Sequence, residues 1–569
     1  MRKYRTPGVY FERQDTASPL IGPLRTDIAG FVGIAERGPL HEAVKLESLA
    51  QFTNVFGGKV AQGYLAYAVD GFFTNGGQTC WVVRVADKEK ARAAALDIFD
   101  ESGERRLLAV RAGSPGAWGN NVVARWIVSG GQIISLTLHF ADGSTQQIRD
   151  PLGFNEPRDL GLAARQRDAL PASLLAPLVT LERADEEGVA PAPASARVGE
   201  LAGRLGGGTD GLKTLAPKHF VGDRERPDLV FGLVALEPVN EVSIVAMPDV
   251  MPKPRVVVKT SPPRLDCTDL DAPIEPEPLP QPEPEFPPAF KDDEVYALQQ
   301  SLIAHCEKAR YRVAVLDVPN QLERPGSNSP DGRGLLPEGA IGWRRDFNHT
   351  SMAALYYPWL LVDDPLRLGG RLVRAVPPSG HVAGVYARRD RSRGVHQPPA
   401  NEVAEGVMDV LYPVSDIEHA RLNDEGVNAL RPFAGRGIRV FGARTLDDVI
   451  RFVNVRRLLL MIEKAIDQGT QWTVFEPNNH VLRREIDRVV RSYLHTLYRR
   501  GMLDGRTPDE AYFVKCDEAT NPPEEVERGR VLCQIGVQPP LPAEFVVVLI
   551  GKTHDAVEVL KETGGELNG

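Results

Sequence analysis

Apolar positions follow two different periods along the chain, and the switches between them mark its parts. Near the start, Val9, Tyr10 and Phe11 are strong strand formers placed after a Pro7-Gly8 break. The stretch behind them, RQDTASPLIGPLRTD, holds further breakers and no hairpin turn, so the pattern predicts a strand with no partner nearby. TDIAGFVGIAERGP and TCWVVRV read as buried strands, with AQGYLAYAVDGFFTNGG between them as a helix stopped by glycine, a βαβ-like opening. Beyond Asp87 the character changes: NNVVARWIVSG, ISLTLHF and STQQIRD are short alternating strands of a small β-rich module that ends near LGGGTDG. VNEVSIVAMPD is a further strand, ending in Pro248-Asp249. The helix pattern of VYALQQSLIAHCEKAR leads into the buried strand YRVAVLDVP, with Asp317 at its carboxyl end, and this order predicts an α/β layer.

The carboxyl-terminal part is the most regular. Thr445 and Asp448 have capping-box spacing and predict the start of a long helix over TLDDVIRFVNVRRLLLMIEKAI, with Val455, Leu458, Leu459, Ile462 and Ile466 on one face. A second helix is predicted from about Asn479 to Arg500. Leu482, Ile486, Val489, Val490, Tyr493, Leu494 and Leu497 form its apolar stripe, and Gly501 is its stop. RVLCQIGVQ and EFVVVLIG, the latter apolar from Phe545 through Val546, Val547, Val548, Leu549 and Ile550, read as the last strands.

A chain of 569 residues and 62.3 kDa exceeds one ordinary core, so the expected class is a multidomain α/β (α+β mixed) protein. The expected division is 1–25, a terminal arm; 26–99, an α/β segment; 100–204, an inserted β-rich domain; and 205–250, a return to the core. It continues with 251–295, a linker or loop; 296–440, the main α/β domain; 441–528, a C-terminal α+β domain; and 529–569, terminal strands. Between Pro276 and Pro288, 7 of 13 residues are proline and half of the rest are acidic, which predicts an exposed, semi-extended segment. No apolar run is long enough to span a bilayer, and Arg2, Lys3 and Arg5 have no apolar stretch behind them, so neither membrane insertion nor a secretory signal is expected. The 5 cysteines are scattered and never in a C-x-x-C pair, which points to reduced thiols rather than a disulfide framework or a zinc site. A net charge of −9 argues against a chain devoted to nucleic acid.

Fragments that imitate catalytic motifs fail on context. GKT at Gly551 lacks the earlier glycine of a phosphate loop, and LGGGTDG lacks the following helix with Lys-Ser/Thr, so it reads as a tight turn. Asp317 with His349 or His381 invites a serine hydrolase reading, but no Gly-framed nucleophile serine completes it, and Asp317 reads better as a strand-end residue bonded to backbone. The 11 histidines show no metal-binding spacing. No cofactor, metal or catalytic site is expected. On the second C-terminal helix, Arg483, Arg484, Arg488, Arg491, Arg499 and Arg500 lie largely off the apolar stripe against Glu485 and Asp487. That leaves a local positive field suited to an acidic partner surface.

VPPSGHVAGVYARRDRSRGVHQPPANE, LNDEGVNALRPFAGRGIRVFGARTL, FVNVRRLLLMIEKAI, GTQWTVFEPNN, DEAYFVKCDEATNPPEE and PAEFVVVLIGK together resemble the tail sheath proteins of contractile phages and related contractile injection particles. YRTPGVYFE, FTNVFGG, SPGAWGNN, LGGGTDG and YPWLLVDDP fit the same family in the same order. The resemblance implies a non-enzymatic assembly protein with a central layer subtilisin-like in shape. It implies hexameric rings stacked helically around an inner tube, held in a metastable extended state and contracting to drive the tube through a target envelope. The implied partners are further copies of the chain, the inner tube protein, and baseplate and terminal cap proteins, with assembly in a bacterial cytoplasm. It also implies strand-donating arms, here Val9, Tyr10 and Phe11 at one end and Phe545, Val546, Val547, Val548 and Leu549 at the other. Tube contact would fall to Arg483, Arg484, Arg488 and Arg491, and the inserted domain would face outward. The rival readings are a serine hydrolase and a static envelope or surface-layer protein.

Overall fold

The computed structural model describes the chain outside residues 1–20, 23, 100–105, 130–131, 141–144, 149–177, 184–198, 224, 226–229, 252–283, 368–369, 545–546, 553–556 and 563–569. The described residues fall into two compact units, Thr26–Arg456 and a second made of the residues after Arg456 with those before Thr26. Among them, no helix is long and apolar enough to cross a membrane.

The Thr26–Arg456 unit opens with β1 (Ala29–Gly33), β2 (Ala43–Leu46), α1 (Leu49–Phe56), α2 (Leu65–Thr74) and β3 (Cys80–Arg84). β1 and β3 pair in parallel from Ala29↔Cys80 to Gly33↔Arg84, and β2 covers the outer edge of β3 in antiparallel sense. The β-rich module follows: β4 (Ala95–Phe99), β5 (Arg106–Ala112), β6 (Val123–Ser129), β7 (Gln132–His139), β8 (Thr145–Ile148), β9 (Val179–Arg183) and β10 (Gly199–Arg204). They make two antiparallel sheets, β4-β5-β9 and β10-β6-β7-β8. Ile98, Leu108, Val110, Trp126, Leu136 and Leu138 belong to an apolar cluster of the module's own. Arg84, at the end of β3, ties module to sheet: its buried guanidinium donates to the carbonyls of Ala35 (3.1 Å) and Gly38 (2.9 Å) and, within the module, of Pro115 (2.9 Å). Satisfied donors offset the cost of burying that cation.

The chain then returns through β11 (Ile244–Ala246), α3 (Asp292–Ala309), β12 (Val313–Asp317), α4 (Pro337–Arg345) and β13 (Ala353–Tyr357). After these come β14 (Leu360–Asp363), β15 (Val373–Val376), α5 (Ser379–Arg393), β16 (Glu402–Val403), β17 (Asp409–Val410), α6 (Asp416–Asp424), β18 (Val427–Phe433) and β19 (Gly437–Phe441). The result is a nine-stranded sheet in the order β16-β19-β18-β13-β12-β11-β1-β3-β2. Neighbours from β18 to β3 are parallel, and only the flanking strands are antiparallel. β1, β11, β12 and β13 are buried at every residue. That is why they read as unbroken apolar runs rather than alternating ones, as central parallel strands do.

Asp249, just past β11, fixes how this sheet meets its helices. Its buried carboxylate accepts from the amides of Ile34 (2.7 Å) and Leu65 (3.2 Å) and from that of Tyr64, joining the end of β1 to the amino terminus of α2, where a negative charge is favoured. Gly33 permits the approach, since a Cβ there would come within 2.4 Å of Asp249 Oδ2.

The division between the units falls within α7 (Val453–Gly469), which the C-terminal unit follows with α8 (His480–Arg499), β20 (Tyr512–Lys515), β21 (Gln534–Val537), β22 (Val547–Lys552) and β23 (Val557–Glu562). β20 and β21 pair antiparallel, as do β22 and β23. The predicted start of α7 is corrected: Thr445 and Asp448 do not cap it. Thr445 Oγ1 instead donates to the Ile450 carbonyl at 2.7 Å, and Asp447 accepts from the amides of Val449 and Ile450. Short polar side chains here bond their own loop in preference to a helix end.

Candidate functional site

The residues that suggest a hydrolase come together only in part. Asp317 ends β12 and Ser379 begins α5 against it, while the His381 ring lies against Gly71 of α2; all three residues are buried. Asp317 accepts from the Ser379 amide at 2.7 Å, holding the first turn of α5, and burial lifts its carboxyl to about 7. Burial likewise lowers His381 to about 4, keeping it neutral. His349 lies elsewhere, exposed, with Nδ1 3.2 Å from Asp448. It lines a cavity of about 240 Å³ walled by Arg344, Arg345, Glu425 and Arg451 among others. GKT has no loop around it: Gly551 and Lys552 belong to β22.

α8 is the best-defined surface element. Asn479 caps it, its side-chain oxygen accepting from the amides of Val481 (2.9 Å) and Leu482 (3.0 Å). Every residue of the predicted stripe, Leu482, Ile486, Val489, Val490, Tyr493, Leu494 and Leu497, is buried. Arg484, Arg488 and Arg491 are exposed, one turn apart on one face, while Arg483 is half-buried. Their environments differ. Arg488 Nε donates to Glu485 at 3.1 Å. Arg491 Nε donates to Asp487 at 3.2 Å and Nη2 to the Val514 carbonyl at 2.8 Å, and Arg483 Nε donates to Asn478 Oδ1 at 3.1 Å. The four arginines are thus not equivalent: Arg483 and Arg491 also hold local structure, while Arg484 and Arg488 project outward. Pairs this exposed are worth about 0–1 kcal/mol, so they leave the face free to exchange partners.

Ahead of α8 in the chain lies a feature that the apolar pattern does not announce. In the turn before α8, Phe475 is fully exposed with φ at 70° and Val474 is exposed, as is Val481 in the first turn of α8. A left-handed φ costs a non-glycine residue about 1–3 kcal/mol, so an aromatic held there and bare to solvent is unusual. The signal available in the sequence was the FEPNN run of turn formers directly after an aromatic.

Of the proposed terminal strands, Val9, Tyr10, Phe11, Phe545 and Val546 lie outside the described residues. Val547, Val548 and Leu549 are in β22, whose one edge pairs with β23 of the same chain from Val547↔Glu562 to Lys552↔Val557. β23 was not foreseen. Among the described residues, nothing pairs with the outer edge of β22 or of β23.

Residues 288–446 match the phage tail sheath protein central domain, and residues 445–551 match the phage tail sheath C-terminal domain. Curated relatives include the tail sheath protein of Burkholderia phage BcepMu, 30% identical over 242 residues that make up 40% of this chain and 48% of that protein. The tail sheath protein of Salmonella phage ViI is 24% identical over 280 residues (46% and 43%), and that of Vibrio phage KVP40 is 28% identical over 182 residues (31% and 26%). The chain therefore spans about half or less of these relatives. Solved structures match over nearly the whole chain. The helical sheath of the anti-feeding prophage in its contracted state superposes with a TM-score of 0.53 at 20% identity, covering 97% of this chain and 100% of that one. The PVC sheath complex of an extracellular contractile injection system, also contracted, gives 0.52 at 18% (98% and 99%). The fold is a mixed α/β, multidomain one shared with these sheath structures, and residues 288–551 match the two phage tail sheath domains.

Proposed function

We propose that this chain is the contractile sheath subunit of a phage tail or an extracellular contractile particle. The observation that carries the reading is the pair of adjoining sheath domains over residues 288–551, on a fold shared almost end to end with contracted sheaths. Copies of the chain stack as hexameric rings around an inner tube, docked to a baseplate at one end and a cap at the other. Contraction from a metastable extended lattice drives the tube, and no step calls for nucleotide or a catalytic residue. The buried Asp317–Ser379 contact, engaged in helix capping, and a His381 ring lying against Gly71 instead disfavour the hydrolase alternative.

Within this reading the β22–β23 hairpin offers its open edges to strands from neighbouring copies, residues 9–11 among them. Main-chain ladder bonds supply the link while alternating side chains set the register. Arg484 and Arg488 with the Phe475 tip form the tube-side contact, and the β4–β10 module faces outward. Electron microscopy of the purified chain at high concentration tests the core of the proposal. Cylinders of constant diameter are expected, and discrete monomers under every condition, with no tubes in the source cell, would count against it. Fluorophosphonate probes should leave the protein unlabelled; stoichiometric serine labelling would restore the hydrolase.

A further inference from the structure

Cys516 and Cys533 are scattered in sequence, but the fold sets them face to face. β20 and β21 pair antiparallel from Tyr512↔Val537 to Lys515↔Gln534, and one further step along that register places Cys516 opposite Cys533. The Gln538 amide donates to the Ala511 carbonyl at 2.8 Å, which makes that opposed pair a hydrogen-bonded one. By alternation, Val514 opposite Ile535 and Cys516 opposite Cys533 are non-hydrogen-bonded pairs, whose side chains approach most closely. Cα separations of roughly 4.5 to 5.5 Å across a ladder fall inside the range a disulfide spans.

The two thiols are near enough to perturb one another. Cys533 holds the Cys516 thiol below its ordinary range and is itself raised; at Cys516 burial and the Asp487 and Asp517 carboxylates oppose ionisation while Arg483 favours it. Backbone on both sides of Cys533 is fixed: β21 continues on one side, and on the other Asn521 bonds both the amide and the carbonyl of Leu532, at 2.7 and 2.8 Å. Cys533 is partly open to solvent, so a small reagent can reach the pair. Cys80 and Cys306 are buried, the Cys306 thiol pushed up to about 12, and are protected from the same chemistry. Among the described residues no group of three or more His, Cys, Asp and Glu is placed to hold a metal ion.

We propose that Cys516 and Cys533 are a redox pair that closes to an intrasubunit disulfide across the β20–β21 ladder, fastening the root of the segment that leads to β22. With a small-molecule disulfide as oxidant, one thiolate of the pair attacks it and expels one small thiolate. The second cysteine then loses its proton to solvent and attacks the mixed disulfide, expelling the other. Two protein thiols are oxidised to one disulfide, and the reagent is reduced to two thiols. The bond stands independently of the sheath reading; only its service to a loaded terminal strand rests on that reading.

The test equilibrates the purified full-length chain in glutathione buffers of stepped potential, quenches by alkylation and maps peptides by mass spectrometry. The expected result is that alkylation of Cys516 and Cys533 is lost in one joint transition, with a peptide cross-linked between them. Cys80 and Cys306 should stay reduced throughout. In Cys533→Ser, Cys516 should form no intrachain disulfide at any potential. Oxidised wild type should unfold at a higher temperature than reduced, and Cys516→Ala/Cys533→Ala should show no such difference. Either cysteine persisting as a free thiol in fully oxidised glutathione, or pairing with Cys267 instead, would overturn the proposal. Because the readout is a covalent bond, it is independent of whether cylinders form.

Discussion

Two buried carboxylates show how single residues set this fold. Asp249 serves the amides of Ile34, Tyr64 and Leu65 together, so Asp249→Ala strands buried donors. Each costs about 1–3 kcal/mol. The urea midpoint of the Thr26–Arg456 unit should therefore fall by an amount equivalent to about 3 kcal/mol or more, and by less for Asp249→Asn, which keeps an acceptor. A wild-type midpoint for Asp249→Ala would show that the carboxylate does not carry these bonds. Asp317 and His381 respond to pH in opposite directions. Asp317 titrates near 7 when folded, so its contribution is fully present at low pH and is lost as pH rises from about 4 through 7. His381 stays neutral down to about 4 when folded, while the unfolded chain takes up that proton near 6.5, so its contribution is lost as pH falls from 6.5 towards 4. Asp317→Asn removes only the first effect. Its stability relative to wild type should rise between pH 4 and pH 7 and level off above, and a difference independent of pH would contradict the shift.

At the scale of elements, α8 was fully legible because its signal is local: a 3.6-residue apolar period, an Asn479 cap and a Gly501 stop all lie within one stretch. The start of α7 was misread because Thr445 and Asp448 have cap spacing yet sit in a loop whose bonds the spacing does not reveal. Buried strands such as β12 were legible as apolar runs, but their order was not. β11 lies between β1 and β12, its pairing with β1 joining Ala29 to Ile244 across the whole inserted module, and nothing in a strand's own sequence names its neighbour. For the same reason Cys516 and Cys533 read as unrelated thiols, since their meeting depends on the β20–β21 register. The Phe475 tip was missed because exposure and a left-handed φ are properties of the turn. Two predictions belong to these elements. Asn479→Ala should destabilise α8 by about 1 kcal/mol, measured by thermal unfolding of the chain. Arg484→Glu with Arg488→Glu should leave the circular dichroism spectrum intact and weaken co-assembly with the tube protein, most strongly at low salt. Unchanged co-assembly at low salt would remove this face from the contact.

For the whole molecule, the division into two compact units, one carrying a hairpin whose outer edges nothing pairs among the described residues, suits the proposed role of a subunit linked within a lattice that rearranges. An edge strand left unpaired is an aggregation hazard for an isolated protein and a joint for a polymer. Deleting residues 1–12 should leave the Thr26–Arg456 unit folded, with a wild-type urea midpoint, while abolishing ordered polymers; normal cylinders from that deletion would defeat strand donation. Contraction separates a sheath from every static alternative built on the same links. The most direct test is cryo-electron microscopy of particles assembled from this chain around their tube, imaged before and after a contraction trigger. The account predicts two helical lattices of the same subunit, one long and narrow and one short and wide, with the terminal strands paired between copies in both. A single lattice, unchanged by the trigger, would contradict it.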